Sequence, residues 1–127
     1  MKTIRALKLA AYAALVFVVT ADVWFEQHAR ALSTIKVDGF SLWIAAPFVL
    51  MGIAIFTGNS VRSLRLLLVL SILMALSSMY FYYDALFLHV DAQGALIFLF
   101  LPLCQLIAAA IALLGVVIAR VRKGVRA

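Results

Sequence analysis

Two polar residues of this chain fall inside long apolar runs, where a side chain able to do chemistry is unusual. Asp22 lies about one helical turn before the end of the first run, and Gln105 lies about eleven residues into the last run, near its middle. Glu26 follows Asp22 by four residues and therefore shares its helical face. Ionisable groups inside a membrane are costly and often mark transport routes. Asp22, Glu26 and Gln105 are thus candidates for an ion or proton path.

The alternative for the same residues is structural. Asp22 is close enough to the end of its run to reach water or to pair with a neighbouring helix. Gln105 must find a partner because lipid offers none, and hydrogen bonds between membrane helices contribute roughly 0.6–2 kcal/mol. We favour this interpretation for both residues, with Gln105 joining two helices.

A second group of titratable residues lies in the connections at the same end as Asp22: His28, Asp84, His89 and Asp91. Carboxylates combined with imidazoles can bind a divalent metal or relay protons. The spacing of His89 and Asp91 is suggestive, but no ligand motif accompanies it. We expect a solvated acidic face that holds no metal, and we keep a proton or cation pathway as the alternative.

The sequence indicates no catalytic residue and no cofactor. It has no Gly-x-Ser-x-Gly motif, no Gly-rich phosphate loop and no zinc spacing, and its single cysteine is Cys104. The net charge of +6 does not indicate nucleic acid, since the basic residues gather at span ends rather than in motifs interleaved with aromatic residues. We therefore expect a chain that is not an enzyme and has no nucleic-acid partner.

The elements that carry these residues are predicted to be transmembrane helices. Of the 127 residues 68% are hydrophobic and 13% are charged, against about 25% charged in soluble domains. A soluble chain of this size cannot bury so much apolar surface. We predict an all-α fold, one integral membrane bundle of four transmembrane helices over residues 1–127, with spans at about 9–25, 40–56, 64–83 and 95–119.

The distribution of charge predicts the orientation of these spans. One side of the membrane would hold nine Lys and Arg residues, at the two termini and in or next to the connection 57–63, and the other side only Arg30 and Lys36. Basic residues near span ends stay cytoplasmic. We predict both termini in the cytoplasm of a cell membrane, in a bacterial inner membrane, beside anionic headgroups. Trp24, Tyr80 and Tyr83 fall near the opposite boundary, where aromatic residues are enriched.

The first span also has the form of a secretory signal peptide, with a basic start, an apolar stretch and Val19-Thr20-Ala21 ahead of Asp22. We interpret it as a retained helix. Its removal would leave three spans with the same orientation.

Three functions are compatible with these features. The first is an accessory, assembly or immunity-type subunit that acts through helix contacts with membrane partners or with itself. The second is a homo-oligomeric channel or small transporter for cations or protons that uses Asp22 and Gln105. The third is a membrane enzyme acting at the outer face through His89 and Asp91. We favour the first, because ionisable residues mark transport paths and this chain has one candidate within the membrane.

Overall fold

The computed structural model of this chain describes residues 1–29, 38–89 and 96–126, and all secondary structure within them is helical. Four helices are long and apolar enough to cross a membrane. Their bounds are α1 Lys2–Ala29, α2 Gly39–Thr57, α3 Val61–Tyr83 and α4 Ile97–Arg126. A π-helical turn, Asp84–Leu88, continues α3. The described residues therefore form an all-α structure with four helices that could each cross a membrane.

All four helices are longer than the predicted spans. The predicted connection 26–39 begins too early, because α1 continues through Glu26 to Ala29. The predicted connection 84–94 also begins too early, because Asp84–Leu88 is helical. Hydropathy marks the part of a helix that suits hydrocarbon, whereas the hydrogen-bonded backbone continues through polar residues that still favour a helix. Arg30, Lys36 and Asp91 lie outside the described residues.

The starts of α2 and α3 are fixed by short polar side chains. The Asp38 carboxylate accepts hydrogen bonds from the backbone N–H groups of Phe40 and Ser41. The Ser60 hydroxyl accepts one from the N–H of Ser63. Such caps satisfy donors that have no partner within the first helical turn. The Ser60 cap begins α3 at Val61, so the α2–α3 connection is a tight turn over residues 58–60.

Successive helices run antiparallel. The Lys8 ammonium, near the start of α1, donates to the Phe56 carbonyl at the end of α2. Glu26, near the end of α1, meets Ser41 at the start of α2. We call the end of the bundle with the N-terminus, the α2–α3 turn and the end of α4 the basic end. The opposite end, which carries Asp22, Glu26, and Asp84, is called the acidic end.

The helices do not pack equally closely. α1 packs mainly against α3, and α2 packs mainly against α4, whereas α3 and α4 contact each other much less. The apolar core forms two clusters, one along the basic half around Leu15, Met51 and Leu67, the other at the acidic end. In the second cluster the rings of Tyr82 and Phe98 are stacked, with centroids 4.5 Å apart. A layer of polar residues separates the two clusters.

Candidate functional site

Asp22 lies on the face of α1 that packs inside the bundle. The buried residues of this helix follow spacings of three and four: Ala11, Leu15, Val18, Asp22 and Phe25. Residues at these spacings form one stripe along a helix. Asp22 continues that apolar stripe and is fully buried, 0% exposed. The sequence left two structural roles for Asp22, reaching water and pairing with a neighbouring helix. Its full burial agrees with pairing and not with contact with water.

The partner of Asp22 is a hydroxyl on α3. Ser78 donates a hydrogen bond of 2.9 Å from its Oγ to Asp22 Oδ2. The same Oγ accepts a 2.9 Å hydrogen bond from Nε2 of Gln105 on α4. Ser78 therefore joins the two residues that the sequence singles out, and three helices meet at one hydroxyl. We call this arrangement the Asp22–Ser78–Gln105 network.

Gln105 makes two further contacts with α3, one with its backbone and one with a side chain. Its Nε2 lies 3.2 Å from the Met74 carbonyl oxygen and 3.3 Å from the Ser77 Oγ. An unpaired amide in hydrocarbon is costly, and these contacts satisfy the NH2 group of the side chain. Gln105 thus joins α4 to α3, which is the geometry expected from the structural interpretation.

Some polar atoms of the network and of the neighbouring Tyr82 have no partner among the described residues. These are Oδ1 of Asp22, Oε1 of Gln105 and the hydroxyl oxygen of Tyr82. Tyr82 lies one turn after Ser78 on the same face of α3 and is 0% exposed. The Asp22 and Gln105 side chains share the Ser78 hydroxyl, and each has one acceptor oxygen without a partner among the described residues. Together they form a small polar environment. Its chemistry suits a proton, a water molecule or a small cation.

A second buried polar group lies one turn closer to the acidic end. Glu26 Oε2 accepts hydrogen bonds from Gln27 Nε2 at 2.6 Å and from the Ser41 hydroxyl at 3.1 Å. All three side chains are at least nine-tenths buried. This Glu26 group joins α1 to α2, as the Asp22–Ser78–Gln105 network joins α1 to α3 and α4. Together they form a polar column from the acidic end to the middle of the bundle.

The column does not continue toward the basic end. Below Gln105 the described core consists of apolar side chains, including Val18, Phe48 and Ala109. The buried Ser71 in this region donates to the Leu67 carbonyl of its own helix. Within the described residues the polar column therefore ends at an apolar layer on the side of the basic end. Any access to the column from outside would have to come from the acidic end.

The predicted outer group is only partly brought together. His89 Nδ1 lies 3.0 Å from Asp84 Oδ1, and both side chains are accessible to solvent. His28 instead stacks on Trp24, with ring centroids 5.3 Å apart, and contacts Phe87. Asp91 lies outside the described residues. Within residues 1–29, 38–89 and 96–126, no three His, Cys, Asp or Glu residues are placed to hold a metal ion.

Sequence reasoning did not assign roles to Ser78, Gln27 or Ser41. A serine in a membrane helix usually bonds its own backbone, as Ser71 does, so the residue type carries no signal for a bond between helices. The available signal was spacing, since Ser78 lies between Met74 and Tyr82 on one face of α3.

Comparison of this chain with protein-family models, with curated proteins and with solved structures finds no match.

Proposed function

We propose that this protein is an accessory, assembly or immunity-type subunit of a cell membrane that acts through helix contacts with other membrane proteins. The observation that carries the proposal is the placement of Gln105, which is buried against α3 and donates to the Met74 carbonyl and the Ser78 hydroxyl. A residue that served a substrate would face open space. Here the strongest intramembrane polar groups are used to hold the chain's own helices together.

The outward faces of the helices support contact with a partner. On α1 the small residues Ala6, Ala10 and Ala13 are exposed and share one face. Small residues let the backbone of another helix approach closely, which strengthens packing where no hydrophobic effect drives association. We call these three residues the α1 alanine face and propose it as the contact surface.

Purification in a mild detergent tests the proposal. We expect a second membrane protein to accompany the wild-type chain and to be lost from an Ala10→Leu variant, because the added side chain separates the two backbones. Ala110→Leu provides the matched control, since Ala110 is exposed on α4, away from this face. A pure homo-oligomer that conducts ions in liposomes would refute the accessory role.

We further propose that both termini are cytoplasmic and that the chain resides in a bacterial inner membrane, on the support of nine basic residues against two. Labelling with a membrane-impermeant maleimide tests this after Cys104→Ala removes the native thiol. Gly39 and Gly124 suit single cysteines, since an added Cβ at either position meets no atom within 4 Å. Intact cells should label Gly39→Cys and protect Gly124→Cys; the reverse pattern contradicts the orientation.

A second candidate function, a homo-oligomeric channel or small transporter for cations or protons, is favoured by one observation. Asp22 and Gln105 share Ser78, and each retains an acceptor oxygen without a partner among the described residues. Because the column meets an apolar layer, transport would require a second conformation that opens toward the basic end.

Ion flux into reconstituted vesicles tests this candidate. Asp22→Asn keeps an oxygen that can accept from Ser78 but removes the exchangeable carboxyl proton and the charge. Gln105→Leu removes the amide. A transporter should lose most of its flux in both variants while the folded fraction of Asp22→Asn is maintained. Unchanged flux in both variants excludes transport through this network.

A further inference from the structure

Since α3 and α4 make few contacts with each other, a groove lies between them at the basic end. Its volume is about 600 Å³, within the range of small-molecule sites in proteins, roughly 300–1,000 Å³. A smaller cavity of about 190 Å³ shares Ser63, Val116 and Lys123 with it and extends it toward the α2–α3 turn.

The groove has an apolar floor and a basic rim. The floor is formed by Leu67 and Leu70 of α3 and by Val116 of α4. At the rim lie Arg62 at the start of α3 and Lys123 near the end of α4. None of its lining residues is an aspartate or glutamate. Arg62 and Lys123 therefore line the same apolar slot, and no carboxylate lines it with them.

The rim also offers neutral hydrogen-bonding groups. Ser60 and Ser63 line the groove, and their hydroxyls are bonded to each other at 2.7 Å. Ser60 is the donor in this bond, so the Ser63 hydroxyl keeps its own proton and can donate it to a further oxygen. A phosphate oxygen placed between Arg62 and Lys123 would lie beside these hydroxyls. The charges and hydroxyls thus complement an anionic headgroup.

We propose that this groove binds one anionic phospholipid, with an acyl chain along the apolar floor and the phosphate between Arg62 and Lys123. A free phosphate ion would leave the apolar floor exposed. A second copy of the chain would bring its own basic end against this one, and like charges repel. A phospholipid matches both halves of the groove and is present wherever the protein resides. This inference does not depend on either function proposed above.

Native mass spectrometry of the detergent-purified protein measures the binding, with phosphatidylglycerol and phosphatidylcholine of identical acyl chains as probes. Each basic residue near an anionic headgroup contributes roughly a fivefold factor in affinity. Arg62→Gln combined with Lys123→Gln should therefore weaken phosphatidylglycerol binding about 25-fold and leave phosphatidylcholine unchanged. The matched control, Arg5→Gln with Arg65→Gln, removes the same charge outside the groove and should have a much smaller effect.

Gly115 provides a second test that does not alter charge. It lines the groove, and a Cβ added there meets no atom within 4 Å, so Gly115→Leu fills the slot without disturbing the fold. We expect this variant to bind phosphatidylglycerol at least tenfold more weakly than the wild type. Gly124→Leu is its control, because Gly124 has equally open surroundings outside the groove.

Two results would overturn the proposal. Equal loss of phosphatidylglycerol in the Arg62/Lys123 and Arg5/Arg65 variants would show attraction by overall charge. A change of oligomeric state in Gly115→Leu, with lipid binding intact, would show that a second copy covers the groove.

Discussion

Removal of the Ser78 hydroxyl tests the role of the polar layer. In a Ser78→Ala variant, Asp22 Oδ2 loses its only hydrogen bond among the described residues, and Gln105 Nε2 keeps Met74 and Ser77 as partners. Two bonds between helices are lost, at about 0.6 kcal/mol each. A buried carboxyl oxygen left without a donor adds about 1 kcal/mol or more. We expect the free energy of unfolding to fall by about 2–3 kcal/mol.

Ser71→Ala is the matched control for this measurement. Ser71 lies on the same helix and is equally buried, and its hydroxyl bonds only the Leu67 carbonyl of its own helix. We expect its removal to cost less than about 0.5 kcal/mol, because the backbone bond of that carbonyl remains.

Unfolding of both variants can be followed by tryptophan fluorescence during titration of mixed micelles with sodium dodecyl sulfate. Trp24 and Trp43 report on α1 and α2, near the acidic end. An Asp22→Asn variant, alone and combined with Ser78→Ala, completes a double-mutant cycle. Equal destabilisation by Ser78→Ala and Ser71→Ala, with no coupling to Asp22, would refute the assignment of Ser78 as the residue that joins three helices.

Three further outcomes are expected. Tyr82→Phe should leave thermal stability unchanged or raise it by up to about 1 kcal/mol, since the ring still stacks on Phe98 and the buried hydroxyl has no partner among the described residues; a clear loss in a melting curve would reveal a partner. Gly58→Ala should cost about 1 kcal/mol in the same assay, because its Cβ would lie 3.1 Å from a side-chain carbon of the fully buried Leu64. Asp38→Ala should destabilise the protein by about 1 kcal/mol through loss of the α2 cap, whereas Asp38→Asn should retain most of the stability.

The sequence predicted the helices more accurately than their ends. Runs of apolar residues locate the parts of helices that suit hydrocarbon, so four helices follow directly from composition. They do not show where the backbone leaves the helix, because Glu26 and Asp84 are polar and yet helical. Predicting an end requires the capping geometry, such as that of Asp38 and Ser60, which the pattern of apolar residues does not display.

The sequence could predict those residues of the site whose type is rare within apolar runs. Asp22 and Gln105 are conspicuous because polar residues are few in apolar runs, and the structure does bring them together. Their shared partner, Ser78, could not be chosen among the serines of α3, since that choice depends on how the helices are rotated. Rotation is set by packing between distant segments, which a single sequence does not display.

The order in which these contacts form has a consequence for biogenesis. Glu26 finds Ser41 only fifteen residues further along the chain, within the first helical hairpin. Asp22 must wait for Ser78, 56 residues later, and Ser78 in turn precedes Gln105 by 27 residues. Asp22 Oδ2 in a nascent chain therefore has no donor until α3 has packed against α1, and the Ser78 hydroxyl that supplies it is joined to Gln105 only once α4 is in place. We expect a chain truncated after α2 to retain that unpaired carboxyl oxygen and to pack less stably than the complete bundle.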